Sequence, residues 1–394
     1  MRKHLLLIVN ILLLVSLSAQ KPSLTKAYNF YYDKDYDKAK EQIDLCAADE
    51  KLSVKAQTWL YKGNIELLLA NREYNEKQKD ENYQIRYPNA PVEAYDAFQK
   101  ALELNPKVEA LDMMGAQEAL KQLYPYLLVR GVDQLIAKDY TGAETTLRKA
   151  VESYEMAPPQ YPMNGELYYY YAYTLESLGK KDEMMRYYQK AIDDGSQNPY
   201  VFGKLIDQYK ADNDRANIEK TLAMAKAKNP DNMSVKLLEI DYAYWSGDSV
   251  KAKRLVDQID PQVLKTSDEM VNVANFYIKE KRYEEADRLL ARANRIDPNN
   301  FVILYNLGVC NYSFSEYYFN RQNQLAVQQG DKTEIETAKE LSERYLASAA
   351  DYFEQARRLQ PNDVNLLNTL RAIYVRQQSP KADEIDALIK QLEK

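Results

Sequence analysis

Met184, Ile218, Ala252 and Ala286 stand 34 residues apart, each from the next. Tyr188, Leu222, Val256 and Leu290 keep the same step, and so do Ala191, Ala225, Ile259 and Ala293. Upstream in each unit, Ala172, Ile206, Ile240, Ala274 and Gly308 repeat it again. A fixed step carried by small and apolar residues marks a stacked array: one unit cannot bury its apolar face alone, and the next covers it. Composition says which kind of unit this is. Only 11 of the 394 residues are glycine, β-turn signals are few, and Ala, Leu, Lys, Glu and Gln are plentiful. That combination points to an all-α chain.

The units share more than a step. In "MVNVANFYIKEKRYEEADRLLARANRIDP", Val273-Ala274 and Tyr277 lie in a first helix, Tyr283 and Ala286 in a second, and Pro298 ends it. "EAYDAFQKALELNP" repeats the second half through Ala94, Phe98, Ala101 and Pro106, and "DYTGAETTLRKA" through Ala143, Leu147 and Ala150. "DYDKAKEQIDLC" does so near the start with Ala39, Ile43 and Cys46. "LGVCNY" and "ADYFEQARRLQP" supply the two halves of a late unit with Leu307, Gly308, Ala349, Phe353 and Pro361. The sequence resembles the tetratricopeptide repeat (TPR) family, whose unit is a pair of antiparallel helices with an aromatic, Leu-Gly and Tyr in the first and Ala, an aromatic and Pro in the second. The resemblance implies an α-solenoid, a right-handed superhelix of helix-turn-helix repeats. It would be a single array over residues 21–394, of about eight repeats plus C-terminal capping helices.

Residues 1–20 read as a cleaved secretory signal. Arg2 and Lys3 begin it, an apolar run from Leu5 to Leu17 follows, and Ser16, Ser18 and Ala19 are small residues suited to cleavage. The run is short for a membrane span, and nothing later could cross, so no integral membrane segment is expected after cleavage. Removing this stretch takes away two positive charges and no acidic ones, so the formal charge goes from −6 to −8. An acidic chain is a poor match for nucleic acid or an anionic membrane surface.

The period breaks at insertions. Ala39 to Ala94 is 34 plus 21, Ala94 to Ala143 is 34 plus 15, and Ala286 to Ala349 is 34 plus 29. They place extra chain near 71–92, 107–125 and 313–344. The first reads as a helix extension followed by a polar loop with Pro88 and Pro91. The second predicts one long helix from about Val108 to Ala137, kinked near Pro125. The third predicts two lengthened helices meeting at Gln329-Gly330-Asp331, a prong reaching about 20 Å beyond its neighbours.

"ELYYYYAYTLESLGK", residues 166–180, is the chain's densest aromatic stretch. Each helical residue turns about 100°, so Tyr168 and Tyr171 pack inward while Tyr169 and Tyr173, four apart, share another face. The family resemblance implies that this face of first helices lines a groove. Extended along the array it names Tyr169, Tyr173, Tyr200, Asp207, Asp241, Tyr244, Asn275, Tyr305 and Tyr312. Tyrosines mixed with acidic and amide groups suit a protein or peptide with basic residues.

Chemistry finds little support. The one histidine, His4, lies in the signal, so His-based triads and His-ligated metals are not expected. "DKDYDK", residues 33–38, has alternating aspartates, but Lys38 stands where a calcium loop needs glycine. Cys46 and Cys310 fall about seven units apart and should not pair. No phosphate-cradling loop or nucleophile elbow is present. No cofactor, metal or catalytic residue is assigned. The reading is a non-catalytic scaffold or adaptor, exported to a Gram-negative periplasm or secreted, that binds a protein or peptide partner of the cell envelope. The alternative is an envelope glycan-binding protein using the same tyrosines.

Overall fold

The structure is a computed structural model that describes residues 21–157 and 164–392; the expected signal, 1–20, lies outside them. The described residues are all-α, with no strand among them. Helices form two compact units, Met1–Gln208 and Tyr209–Lys394. Unit 1 holds α1 (Leu24–Tyr32), α2 (Tyr36–Ala48), α3 (Ala56–Lys79), α4 (Ala90–Leu104), α5 (Ala116–Gln122), α6 (Tyr124–Ile136), α7 (Tyr140–Met156), α8 (Glu166–Ser177), α9 (Lys181–Asp193) and most of α10 (Pro199–Ala211). Unit 2 holds α11 (Arg215–Lys228), α12 (Met233–Trp245), α13 (Ser249–Asp257), α14 (Ser267–Lys279), α15 (Tyr283–Ile296), α16 (Phe301–Val327), α17 (Lys332–Leu359), α18 (Val364–Arg376) and α19 (Lys381–Leu392). Each unit is a stack of helical hairpins in which the principal packing is between helices adjacent in sequence.

The 34-residue step reappears in the backbone. Gly179, Asn213, Gly247 and Lys281 are each one period apart, and all four have positive φ, between 54° and 85°. In each case the next amide donates to a carbonyl five residues back: Lys180 to Leu175, Asp214 to Tyr209, Asp248 to Ala243 and Arg282 to Tyr277, at 2.8–2.9 Å. This left-handed helix ending satisfies carbonyls that the helix leaves unpaired. The residue that closes one helix often opens the next. Asp214 and Asp248 accept backbone hydrogen bonds as N-caps of α11 and α13, and Asp35 and Asp139 do so for α2 and α7.

The cores follow the same spacing. Ala172, Ile206, Ala274, Ile218, Ala252, Ala286, Ala191, Ala225 and Ala293 are all fully buried. Helix pairs fit by exchanging volume across the contact. A Cβ on Gly63 would come within 2.6 Å of the Phe98 ring, and one on Gly308 within 2.6 Å of the Phe353 ring. One on Gly131 would come as close to Leu147, at 2.5 Å, whereas Ala27 shares a core with Ile43 and Ala274 shares one with Leu290. Small against large keeps the interior filled at nearly constant helix spacing.

The insertions take three forms. α3 runs on for 24 residues, and the loop that follows returns to it. The Glu73 carboxylate accepts from the Arg86 amide at 2.6 Å and the Tyr83 hydroxyl at 3.1 Å. The long helix expected from Val108 to Ala137, kinked near Pro125, is instead irregular chain up to Gly115 and then two helices, α5 and α6, parted at Leu123. Pro125 has no N–H to give the preceding turn and is tolerated only in the first turn of a new helix. Asn64 fastens the irregular part by exchanging two 3.0 Å hydrogen bonds with the Met114 backbone. At the third insertion α16 and α17 are 27 and 28 residues long and pair along each other, joined at Gln328–Asp331 with Gln329 left-handed. Buried Ser315 and Ser342 exchange hydroxyl-to-carbonyl bonds at 2.8 and 3.0 Å, and Tyr345 stacks on Phe314 and Tyr318. Both cysteines are buried and unpaired.

Candidate binding surface on the tyrosine run

α8 begins at Gly165, whose φ of 75° suits glycine and whose amide donates to Asp194 at 3.0 Å. That anchor fixes the rotation of the helix and so the fate of each tyrosine. Tyr168 and Tyr171 are buried, their rings 6.2 and 4.6 Å from that of Tyr187. Tyr169 and Tyr170 are half-buried. Tyr173 is 36% exposed, and Tyr200, from α10, is 38% exposed. The Tyr200 ring lies 6.0 Å from Tyr169, 6.4 Å from Tyr173 and 6.3 Å from Tyr188, in edge-to-face arrangements that aromatic quadrupoles favour. Tyr169 in turn touches Tyr170 at 4.9 Å and Tyr173 at 6.4 Å. The outcome is a raft of rings rather than scattered side chains.

Glu176 ties the raft to α9 and α10. Its carboxylate accepts from the Tyr188 hydroxyl at 2.7 Å, the Tyr200 hydroxyl at 3.1 Å and Lys204 Nζ at 2.5 Å. Burial alone would raise its pKa, but the Lys204 and Tyr188 hydrogen bonds outweigh that and hold it below the usual carboxylate range. Lys204 also sits over the Tyr200 ring, 5.0 Å from its centre. Burial pushes Tyr169 and Tyr200 up, and both remain neutral phenols at neutral pH. The raft therefore offers apolar ring area with hydroxyl tips beside a tethered ion pair. No group in it is arranged as a nucleophile with a base.

Of the nine residues expected to share a groove, Tyr169, Tyr173 and Tyr200 come together here. Asp207 is exposed on the same helix as Tyr200. The other five lie in unit 2 and make separate local contacts. Asp241 is half-buried and pairs with Lys210. Tyr244 donates to Glu280 at 2.7 Å, stacks on Phe276 at 5.6 Å and carries Lys279 over its ring. Asn275 is half-buried. Tyr305 lies against Phe301 and Phe353 at 5.8 and 5.4 Å, and Tyr312 packs on the same C-terminal core. The sequence reading missed Glu176, Tyr188 and Lys204. The Tyr200–Lys204 spacing of four was a usable signal for one helix face, but their convergence on Glu176 comes from another helix.

The hairpin that carries the raft, α8–α9, and the hairpin α14–α15 coincide with sequence-family matches. The family model described as "Tetratricopeptide repeat" covers residues 165–193 and 270–300. Both hairpins match the tetratricopeptide repeat model. Among curated proteins, the mouse (Mus musculus) "Interferon-induced protein with tetratricopeptide repeats 2" is 28% identical over 176 residues, or 42% of this chain. The match spans only 36% of that protein's length. Solved structures that the chain is similar to include a human IFIT1 dimer with PPP-AAAA, at 15% identity and a TM-score of 0.45, covering 83% of this chain and 72% of that one. Yeast Tom70 is similar at 13% identity and a TM-score of 0.45, covering 93% and 90%. A tetratricopeptide repeat protein from Parabacteroides merdae gives 14% and 0.38, covering 64% and 98%.

Proposed function

We propose that the chain is a non-catalytic scaffold that holds a protein partner of the cell envelope against the tyrosine raft of α8 and α10. The observation that carries this reading is the raft itself. Four interlocked tyrosines, Tyr169, Tyr170 and Tyr173 of α8 and Tyr200 of α10, two of them more than a third exposed, stand together where the other described tyrosines of α8 and α9 are buried. Tyrosine gives large contact area at low entropic cost, with a hydroxyl for hydrogen bonding, which is why it is enriched at interface hot spots. Ring-to-ring contacts and the Glu176–Lys204 pair hold the raft in place before binding, so little ordering is lost when a partner arrives.

A photo-crosslinking residue in place of Tyr173 should form an adduct with a protein in the native cell. Tyr173→Ala/Tyr200→Ala should weaken binding of that protein by about 30-fold or more, the size of one strong hot spot. Both side chains are partly exposed, so the fold should survive. Calorimetric binding of oligosaccharides together with no protein adduct would reverse the reading in favour of a glycan site.

The site of action we propose is outside the cytoplasm, in a Gram-negative periplasm or beyond it. The support is the basic start and apolar run within residues 1–20. Mass spectrometry of the protein recovered from its own cells should find a chain beginning near Lys21. A recovered chain that keeps the first 20 residues would remove this support.

A further inference from the structure

Five ionisable side chains meet where α2, α3 and α4 pack together. Lys40 and Asp44 come from α2, Lys62 and Glu66 from α3, and Glu93 from α4. Lys40 Nζ lies 2.5 Å from Glu66 Oε1, 2.9 Å from Glu93 Oε2 and 3.2 Å from Asp44 Oδ2. Lys62 Nζ lies 3.2 Å from Glu66 Oε1 and 3.1 Å from Glu93 Oε2, and it also pairs with Asp44. Both ammonium groups thus use the same oxygen of Glu66. The Glu66 side chain is 0% exposed, and its other oxygen, Oε2, has no hydrogen-bond donor.

Two faults remain in this cluster. Fully ionised, it holds two positive and three negative charges, a net −1 around the fully buried Glu66, while the Asp44 and Glu93 side chains stay 42% and 39% exposed; an uncompensated charge on a buried group is costly. A buried acceptor without a donor is costly too. Oxygens of Asp44, Glu66 and Glu93 all lie within 4.8 Å of one another, so acceptor faces acceptor. A single proton cures both faults: it brings the net charge to zero and lets one carboxyl donate to its neighbour. A divalent cation would not, because Lys40 and Lys62 already occupy the space between the carboxylates and the net charge would become +1.

We propose that unit 1 binds a structural proton between Glu66 and Glu93, and that losing it loosens the α1–α2 hairpin from α3 and α4. The surroundings support the assignment. Burial pushes Glu66 up to about 7 despite the nearby Lys62 and Lys40 charges. Glu93 is held down to about 2: burial would raise it, but the Lys40 hydrogen bond, the Lys62 charge and the bond from Glu66 prevail. α1, α5 and α6 also touch α3. The charged side chains they carry (Lys26, Glu118, Lys121, Arg130 and Asp133) make none of the described ion pairs with these five.

The sign of the effect follows from proton counts. Between the ordinary carboxyl value of 4.5 and about 7, the folded state keeps a proton on Glu66 that the unfolded chain has released. Stability therefore falls as pH rises through that window. Below 4.5 the Glu93 effect has the opposite sign, and stability falls as pH drops toward about 2. The hairpin is tightest near the ordinary carboxyl value of 4.5, where neither loss has begun.

Carbon-13 NMR of glutamate-labelled protein should show one carboxyl, removed by Glu66→Gln, that titrates well above the ordinary carboxylate range. Glu93→Gln removes the facing negative charge and should move that titration down. Hydrogen exchange of α1–α2 amides, corrected for chemical rate, should be about tenfold faster at pH 8 than at pH 6 in the natural chain, and Glu66→Gln should remove the difference. A Glu66 carboxyl titrating in the ordinary range would overturn the proposal, and so would equal α1–α2 exchange at both pH values. The titration is read on the natural protein, so the test stands even if a variant fails to fold.

Discussion

Replacing Lys40 by methionine is expected to destabilise unit 1 by about 3–5 kcal/mol at pH 8, the usual cost of removing one partner from a buried ion cluster. Methionine keeps most of the apolar stem, so the loss comes from charge. Lys40 holds Glu66 and Glu93 together, and without it the buried Glu66 and the partly exposed Glu93 and Asp44 share a single lysine, Lys62. At pH 5 the penalty should shrink, because Glu66 can take up a proton and stop repelling Glu93. Urea unfolding followed by Trp59 fluorescence in a Trp245→Phe background reports on unit 1. Lys38→Met, which removes an exposed pair with Asp35, is the control and should change nothing measurable. If Lys40→Met cost no more than the control at either pH, the cluster would not be a structural element.

Gly308→Ala is expected to cost about 1–3 kcal/mol, the range for overfilling a packed core. The new methyl would meet the Phe353 ring at 2.6 Å, and both residues are buried. The preceding hairpin has Ala274 and Leu290 in the corresponding positions. Gly308→Ala/Phe353→Leu copies that pair and should therefore be more stable than the sum of the two single changes predicts. A coupling of about 1 kcal/mol or more is expected, within the range for residues in contact. Unfolding of unit 2, followed by Trp245 fluorescence with Trp59→Phe, measures it. Strict additivity would mean that the two side chains do not share the space the structure gives them.

The part of the architecture that repeats could be read from the sequence, and the part that departs from the repeat could not. Ala274 and Ala286 are legible because one side chain occupies one place in every unit. The division of the tyrosine run was legible too, since helix geometry alone separates Tyr171 from Tyr173. The hairpin turns were only half visible. Gly179 and Gly247 advertise a left-handed residue, but Lys34, Lys138 and Lys281 adopt the same φ without any preference for it. Closure of the hairpin imposes that conformation against a cost of about 1–2 kcal/mol. Chain between repeats carries no period, so the irregular stretch up to Gly115 and the fastening of Met114 by Asn64 were out of reach, while Pro125 marked the interruption near Leu123. The buried charge cluster was hidden for the same reason. Glu93 is 53 residues from Lys40, with an insertion between them that erases the spacing. Glu176 and Lys204 looked like ordinary exposed charges until three helices brought them to the tyrosines.

The dominance of sequence-adjacent packing bears on how the chain acquires its structure. Contacts between neighbours close short loops, and short loops lose little entropy, so each hairpin can begin to form before distant segments meet. α16 and α17 bury each other along most of their length and make a natural nucleus for unit 2. Unit 1 can start independently at α3 and α4. Growth then spreads outward by one helix at a time, and a fault in one turn delays only what assembles on top of it.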